Sequence, residues 1–91
     1  MAGLKIRVPP YDLPVAMFKA LGASPTPMDW GEVYLALQQG IIDAQENPMS
    51  TNFSNRLYEV TKFLILTGHI KDFAGFMMGK DYFGKLPADL Q

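Results

Sequence analysis

Leu4-Lys5-Ile6-Arg7-Val8 alternates apolar and polar positions, with β-formers at Ile6 and Val8, and Pro9-Pro10 then removes two backbone donors. The pattern predicts a strand that ends at the prolines. From Asp12 to Leu21 the apolar side chains Val15, Met17, Phe18 and Leu21 recur at helical spacing. Asp12 is placed to cap that helix, Pro14 suits its first turn and Gly22 follows its end. Ser24-Pro25-Thr26-Pro27-Met28 reads as a short edge strand, since each proline pushes its predecessor out of the α region. Between Glu32 and Gln39, Val33, Ala36 and Leu37 form one helical face, and Gly40 sits where a left-handed C-terminal cap is expected.

Further along, Ile41 to Asn47 is bracketed by Gly40 and Pro48, which favours a short strand over a continued helix. Met49 to Glu59 is expected to be helical at least in part, capped by Ser50 or Asn52, with Phe53, Leu57 and Val60 on a common face. Thr61 to Thr67 and Phe73 to Met78 are apolar runs of strand length, predicted as two more sheet strands close enough to pair. Lys80 to Phe83 starts a helical turn that Gly84 breaks, and Pro87 is placed to begin another. The alternation of strands and helices predicts an α/β fold, with helices flanking a mixed sheet. In such sheets ligands bind at the carboxyl ends of the strands. Arg7 and Asn47 both fall near such ends, each shortly before a proline that turns the chain away.

Composition narrows the function. Eight basic and nine acidic residues leave a net charge of -1, which provides no electrostatic footprint for nucleic acid or an anionic membrane. A hydrophobic share of 48% describes a chain that folds, and 91 residues suffice for one small core. The absence of cysteine excludes a disulfide framework, thiolate catalysis and a cysteine-based zinc site. No glycine-rich phosphate loop or nucleophile elbow is present, and no cofactor is called for. The single histidine, His69, has no second histidine or cysteine to complete a metal site and reads as a loop residue. Enzyme chemistry would fall to Asp43 and Glu46, which nothing in the pattern sets across a cleft.

Arg7 is the residue that needs an explanation, because a guanidinium in an apolar strand is costly unless something pairs it. Its planar fork of donors suits a carboxylate. Solvent exposure, or an ion pair with Asp29, Asp43 or Glu46, would satisfy it equally well. Asn47 can donate to a ligand oxygen without adding charge, or can serve as an ordinary turn residue before Pro48. Trp30, at the mouth of a helix, can wall a pocket or pack in the core.

Several stretches then carry a resemblance. Gly3-Leu4-Lys5-Ile6-Arg7-Val8-Pro9, Met17 to Met28, Glu32 to Gln38, Asp43-Ala44-Gln45-Glu46-Asn47-Pro48, Leu57 to Phe63, Thr67-Gly68-His69 and Leu86 to Gln91 resemble, in order, the DctP family of TRAP transporter solute-binding proteins. That resemblance implies a partial lobe of a periplasmic binding protein, which is not an enzyme. It implies that Arg7 holds a carboxylate of a small organic acid and that Asn47 and Trp30 line the cleft. It further implies a periplasmic location and delivery to TRAP membrane subunits. Residues 1–91 are expected to be a single partial domain from the second, C-terminal lobe, without the N-terminal lobe and the long bridging helix. An alternative is a fold fragment that binds no ligand and forms homo-oligomers through exposed sheet edges.

Overall fold

The computed structural model describes residues 1–91, and its ordered body is a three-stranded parallel sheet with helices. Strand β1 (Lys5–Val8) lies in the centre, between β2 (Ser24–Pro27) and β3 (Ala44–Gln45). Ile6 stands opposite Pro25 on one side and Ala44 on the other; Arg7 stands opposite Thr26 and Gln45. Helix α1 (Asp12–Ala20) links β1 to β2, and α2 (Val33–Gln38), entered through a 3-10 turn at Trp30–Glu32, links β2 to β3. Helix α3 (Met49–Ser54) follows β3, and a short α4 (Lys80–Phe83) lies near the end.

Two small cores hold this body together. Ile6 and Val8 project from one face of β1 onto Phe18 of α1, with Ala23 closing the cluster. Val33, Ala36 and Leu37 of α2 pack with Ile42 and Leu57 in the other. The face expected for α2 is therefore the buried one. Burying each large apolar side chain contributes about 1.5–3 kcal/mol.

The ends of α1 and α2 are built alike. Gly22 and Gly40 have φ of 81° and 72°. After α2, the amide of Gly40 donates to Leu37 and that of Ile41 to Ala36, at 3.2 and 2.9 Å. This is a Schellman closure, which needs a left-handed residue at the glycine. A Cβ at Gly40 would meet nothing within 4 Å, so only backbone strain opposes a side chain there. Gly40→Ala is expected to cost about 1–2 kcal/mol, read as a lower urea midpoint with unchanged slope.

The expected caps differ. Tyr11 and Pro48 occupy the N-cap positions of α1 and α3, without side-chain capping bonds. Asp12 lies in the first turn of α1, where its charge complements the helix dipole. Asn52 lies inside α3 and bonds elsewhere. The helix expected from Met49 breaks at Arg56, whose φ is 53°, and resumes as a 3-10 turn at Leu57–Glu59. The break separates Phe53, 74% exposed, from Leu57, which is buried.

The sheet is parallel throughout rather than mixed, because Thr61–Thr67 and Phe73–Met78 are not strands. The sheet has no usable edge for them. In β2 the amides flanking the prolines face β1, with Ser24 donating to Leu4 and Met28 to Val8. Alternation then turns positions 25 and 27 to the free edge, and both are prolines without an N–H. On the other side β3 pairs over only two residues. Phe63, Phe73, Phe76 and Met77 are consequently exposed. The radius of gyration is 17.6 Å, against about 12 Å for a compact chain of this length.

Candidate functional site at the carboxyl ends of the strands

Because all three strands run the same way, their carboxyl ends share one edge of the sheet. The chain leaves β1 through α1 towards β2, then crosses back past β1 to reach β3. That reversal of strand order makes the carboxyl ends of β1 and β3 the place where an open α/β sheet forms a crevice. Arg7, the residues after β2 and the residues after β3 all meet there.

Arg7 lies on the face of β1 opposite Ile6 and Val8, and is 5% exposed. Its Nε donates to the carbonyl of Met28 at 2.9 Å. Its guanidinium carbon stands 5.4 Å from the centre of the Trp30 ring, within range of a cation–π contact. These two contacts aim the group but leave Nη1 and Nη2 without a protein acceptor. No fully buried side-chain nitrogen or oxygen in the chain lacks a partner, so both Nη atoms reach solvent. Burial lowers the Arg7 pKa, while Glu46, Asp29 and Tyr11 raise it more weakly. Arginine remains charged regardless.

None of the three carboxylates considered for Arg7 forms an ion pair with it, and two of them face other groups. Asp43 accepts the backbone N–H of Lys5 at 2.9 Å and lies 4.0 Å from its ammonium. Glu46 faces His69, with Nε2 3.6 Å from its carboxylate. The two carboxylates thus serve separate partners, and nothing joins them as an acid–base pair. His69 also meets the Phe18 ring edge-on at 5.7 Å, which ties its loop to the α1 side of the sheet.

Trp30 is half-buried and comes together with Arg7. Asn47 is placed through Gln45, the register neighbour of Arg7: its Nδ2 donates to Gln45 Oε1 at 2.8 Å. Gln45 Nε2 in turn donates to Asn52 Oδ1 at 2.8 Å. Nothing in the sequence pattern marked the link between Gln45 and Asn52. The turn at Pro48 brings them together, and spacing does not encode it. The hollow beside Trp30, lined by Gly31, Val33, Tyr34, Asn55 and Leu57, does not reach Arg7 or Asn47. The arginine fork is open rather than enclosed by this chain.

Residues 1–91 match the family model described as bacterial extracellular solute-binding protein, family 7. The ectoine/5-hydroxyectoine-binding periplasmic protein of Ruegeria pomeroyi is 42% identical over 88 residues, covering 97% of this chain and 26% of that protein. The periplasmic ectoine-binding protein of a Halomonas elongata TRAP transporter superposes with a TM-score of 0.65 at 52% identity. That superposition covers 66% of this chain and 19% of the other. A TRAP periplasmic solute-binding protein from Roseobacter denitrificans, solved with 3-deoxy-D-manno-oct-2-ulosonic acid, gives a TM-score of 0.63 at 48% identity. It covers 66% of this chain and 20% of that one. The chain spans about a quarter of the length of the curated relative from Ruegeria. The relatives are solute-binding proteins of transporters rather than enzymes, and they are periplasmic. With the family model matched from the first residue to the last, this chain belongs to the DctP family of TRAP-type extracellular solute-binding proteins.

Proposed function

We propose that this chain is one lobe of a periplasmic receptor that binds a small carboxylate and delivers it to TRAP membrane subunits. The observation that carries the reading is Arg7: 5% exposed, aimed by Met28 and Trp30, with both Nη atoms unpaired. An end-on pair of N–H donors at a desolvated, charged group fits the two oxygens of a carboxylate. Ectoine and 3-deoxy-D-manno-oct-2-ulosonic acid, named for two relatives, each carry one carboxylate. Asn47 bonds to the ligand and Trp30 packs against it. The open fork supports a second lobe that closes over the ligand and excludes water, as hinged binding proteins do. Calorimetry with these two acids tests this. Binding is expected in the longer protein that carries this sequence and is expected to be weak or absent in residues 1–91 alone. Tight binding by the 91 residues would contradict the one-lobe reading.

A second reading is self-association without a ligand, favoured by the exposure of Phe73, Phe76 and Met77 at 93%, 96% and 93%. The prolines of β2 block one sheet edge, so copies would meet at the β3 edge and along residues 63–78. Light scattering of the 91-residue chain is expected to show a mass that rises with concentration. A constant monomer mass would dismiss this reading.

A further inference from the structure

We infer that Asn52 is a positioning residue for the ligand site: a closed ring of three amide residues lets it set how Asn47 presents its carboxamide on the Arg7 face. The inference rests on the proposed roles of Arg7 and Asn47. Gln45 Nε2 donates to Asn52 Oδ1, Asn52 Nδ2 donates to the backbone carbonyl of Asn47 at 3.1 Å, and Asn47 Nδ2 donates to Gln45 Oε1. Every bond in the ring runs in the same direction. Turning the Asn52 amide over would set its oxygen against the Asn47 carbonyl and its nitrogen against Gln45 Nε2. Turning Gln45 over would oppose donor to donor and acceptor to acceptor in the same way. Each amide therefore has one favoured orientation.

The consequence falls on Asn47. With one Nδ2 hydrogen committed to Gln45, it offers a ligand Oδ1 and the other Nδ2 hydrogen, in a fixed order. Gln45 is the register neighbour of Arg7, so the ring begins beside the arginine and ends on α3. All three amide residues are half-buried, where a hydrogen bond is stronger than in water and a misplaced one costs more. The carbonyl of Asn47 precedes Pro48, and the Asn52 backbone N–H donates to the carbonyl of Pro48 at 3.0 Å. Asn52 thus grips the turn through both its side chain and its backbone.

The test uses the full-length protein that carries this sequence, labelled with nitrogen-15 at asparagine and glutamine, and 3-deoxy-D-manno-oct-2-ulosonic acid and ectoine as probes. Asn52→Leu removes both bonds at similar volume. Asn52→Asp keeps the acceptor for Gln45 and replaces the donor. In both variants the side-chain amide signals of Asn47 and Gln45 are expected to move. Affinity for whichever acid the wild type binds is expected to fall about tenfold, as for loss of one or two hydrogen bonds. Asn55→Ala is the control, since Asn55 bonds only to the Thr51 carbonyl within α3, and it should leave both readouts unchanged. Backbone signals of Gln38 and Gln39, at the end of α2, report whether the fold is kept. Unmoved Asn47 signals in a protein that binds normally would overturn the ring alone. Moved signals with unchanged affinity would overturn its positioning role. A wild-type protein that binds neither acid would remove the site reading beneath it.

Discussion

Arg7→Met is expected to weaken carboxylate binding in the full-length protein by about a hundredfold or more, without destabilising the unliganded fold. Truncating one side of a buried, hydrogen-bonded charge pair costs about 2–5 kcal/mol. Without a ligand the sign differs. Arg7 is largely buried and has no carboxylate partner, so a neutral side chain of similar length removes a charge-burial cost that offsets the lost bond to Met28 and the lost contact with Trp30. The melting temperature of the unliganded variant should equal or exceed the wild-type value, while the shift produced by ligand disappears. Arg7→Lys retains the charge but cannot both donate to Met28 and present a fork, so it should recover only part of the affinity. Calorimetry and thermal melts with each acid measure these effects. Near wild-type affinity in Arg7→Met would end the case for this residue as the carboxylate anchor.

Phe18→Ala is expected to unfold most of the 91-residue chain at physiological temperature. Truncating a buried phenylalanine costs about 3–5 kcal/mol. A domain of ordinary stability has about 0.05–0.15 kcal/mol per residue to set against that. This chain buries only 10 of its 91 residues, which places it at the low end. Phe18 is 2% exposed, joins Ile6, Val8 and Ala23 in one of the two cores, and is the aromatic partner of His69. Far-UV circular dichroism should show the loss of helix. Phe76→Ala, at a side chain 96% exposed, should change stability by no more than about 0.5 kcal/mol. Similar urea midpoints for the two variants would show that the Ile6–Phe18 cluster is not a core.

The helices and the first two strands were legible because their signals are local. Apolar spacing marks the buried side of α2, and glycine after each of the first two helices marks a left-handed closure. The third strand is shorter than expected. The amides of Ile41 and Ile42 turn back to Ala36 and close α2 instead of joining the sheet. The apolar runs at Thr61–Thr67 and Phe73–Met78 have strand composition, yet strand pairing is a property of an edge. One edge here presents prolines and the other only two paired residues.

For the candidate site, the sequence by itself determined the chemistry available: one arginine within an apolar strand, amides before Pro48 and a tryptophan after β2. Motif order determined the family. Whether Arg7 was a surface charge, half of an ion pair or an unpaired fork was decided only by the tertiary structure. The physical reason is that charge pairing depends on which segments the sheet brings side by side. Asp43 turned to Lys5 and Glu46 to His69, residues 38 and 23 positions away, and Asp29 forms no ion pair with Arg7, so none of the carboxylates that pattern alone offered pairs it.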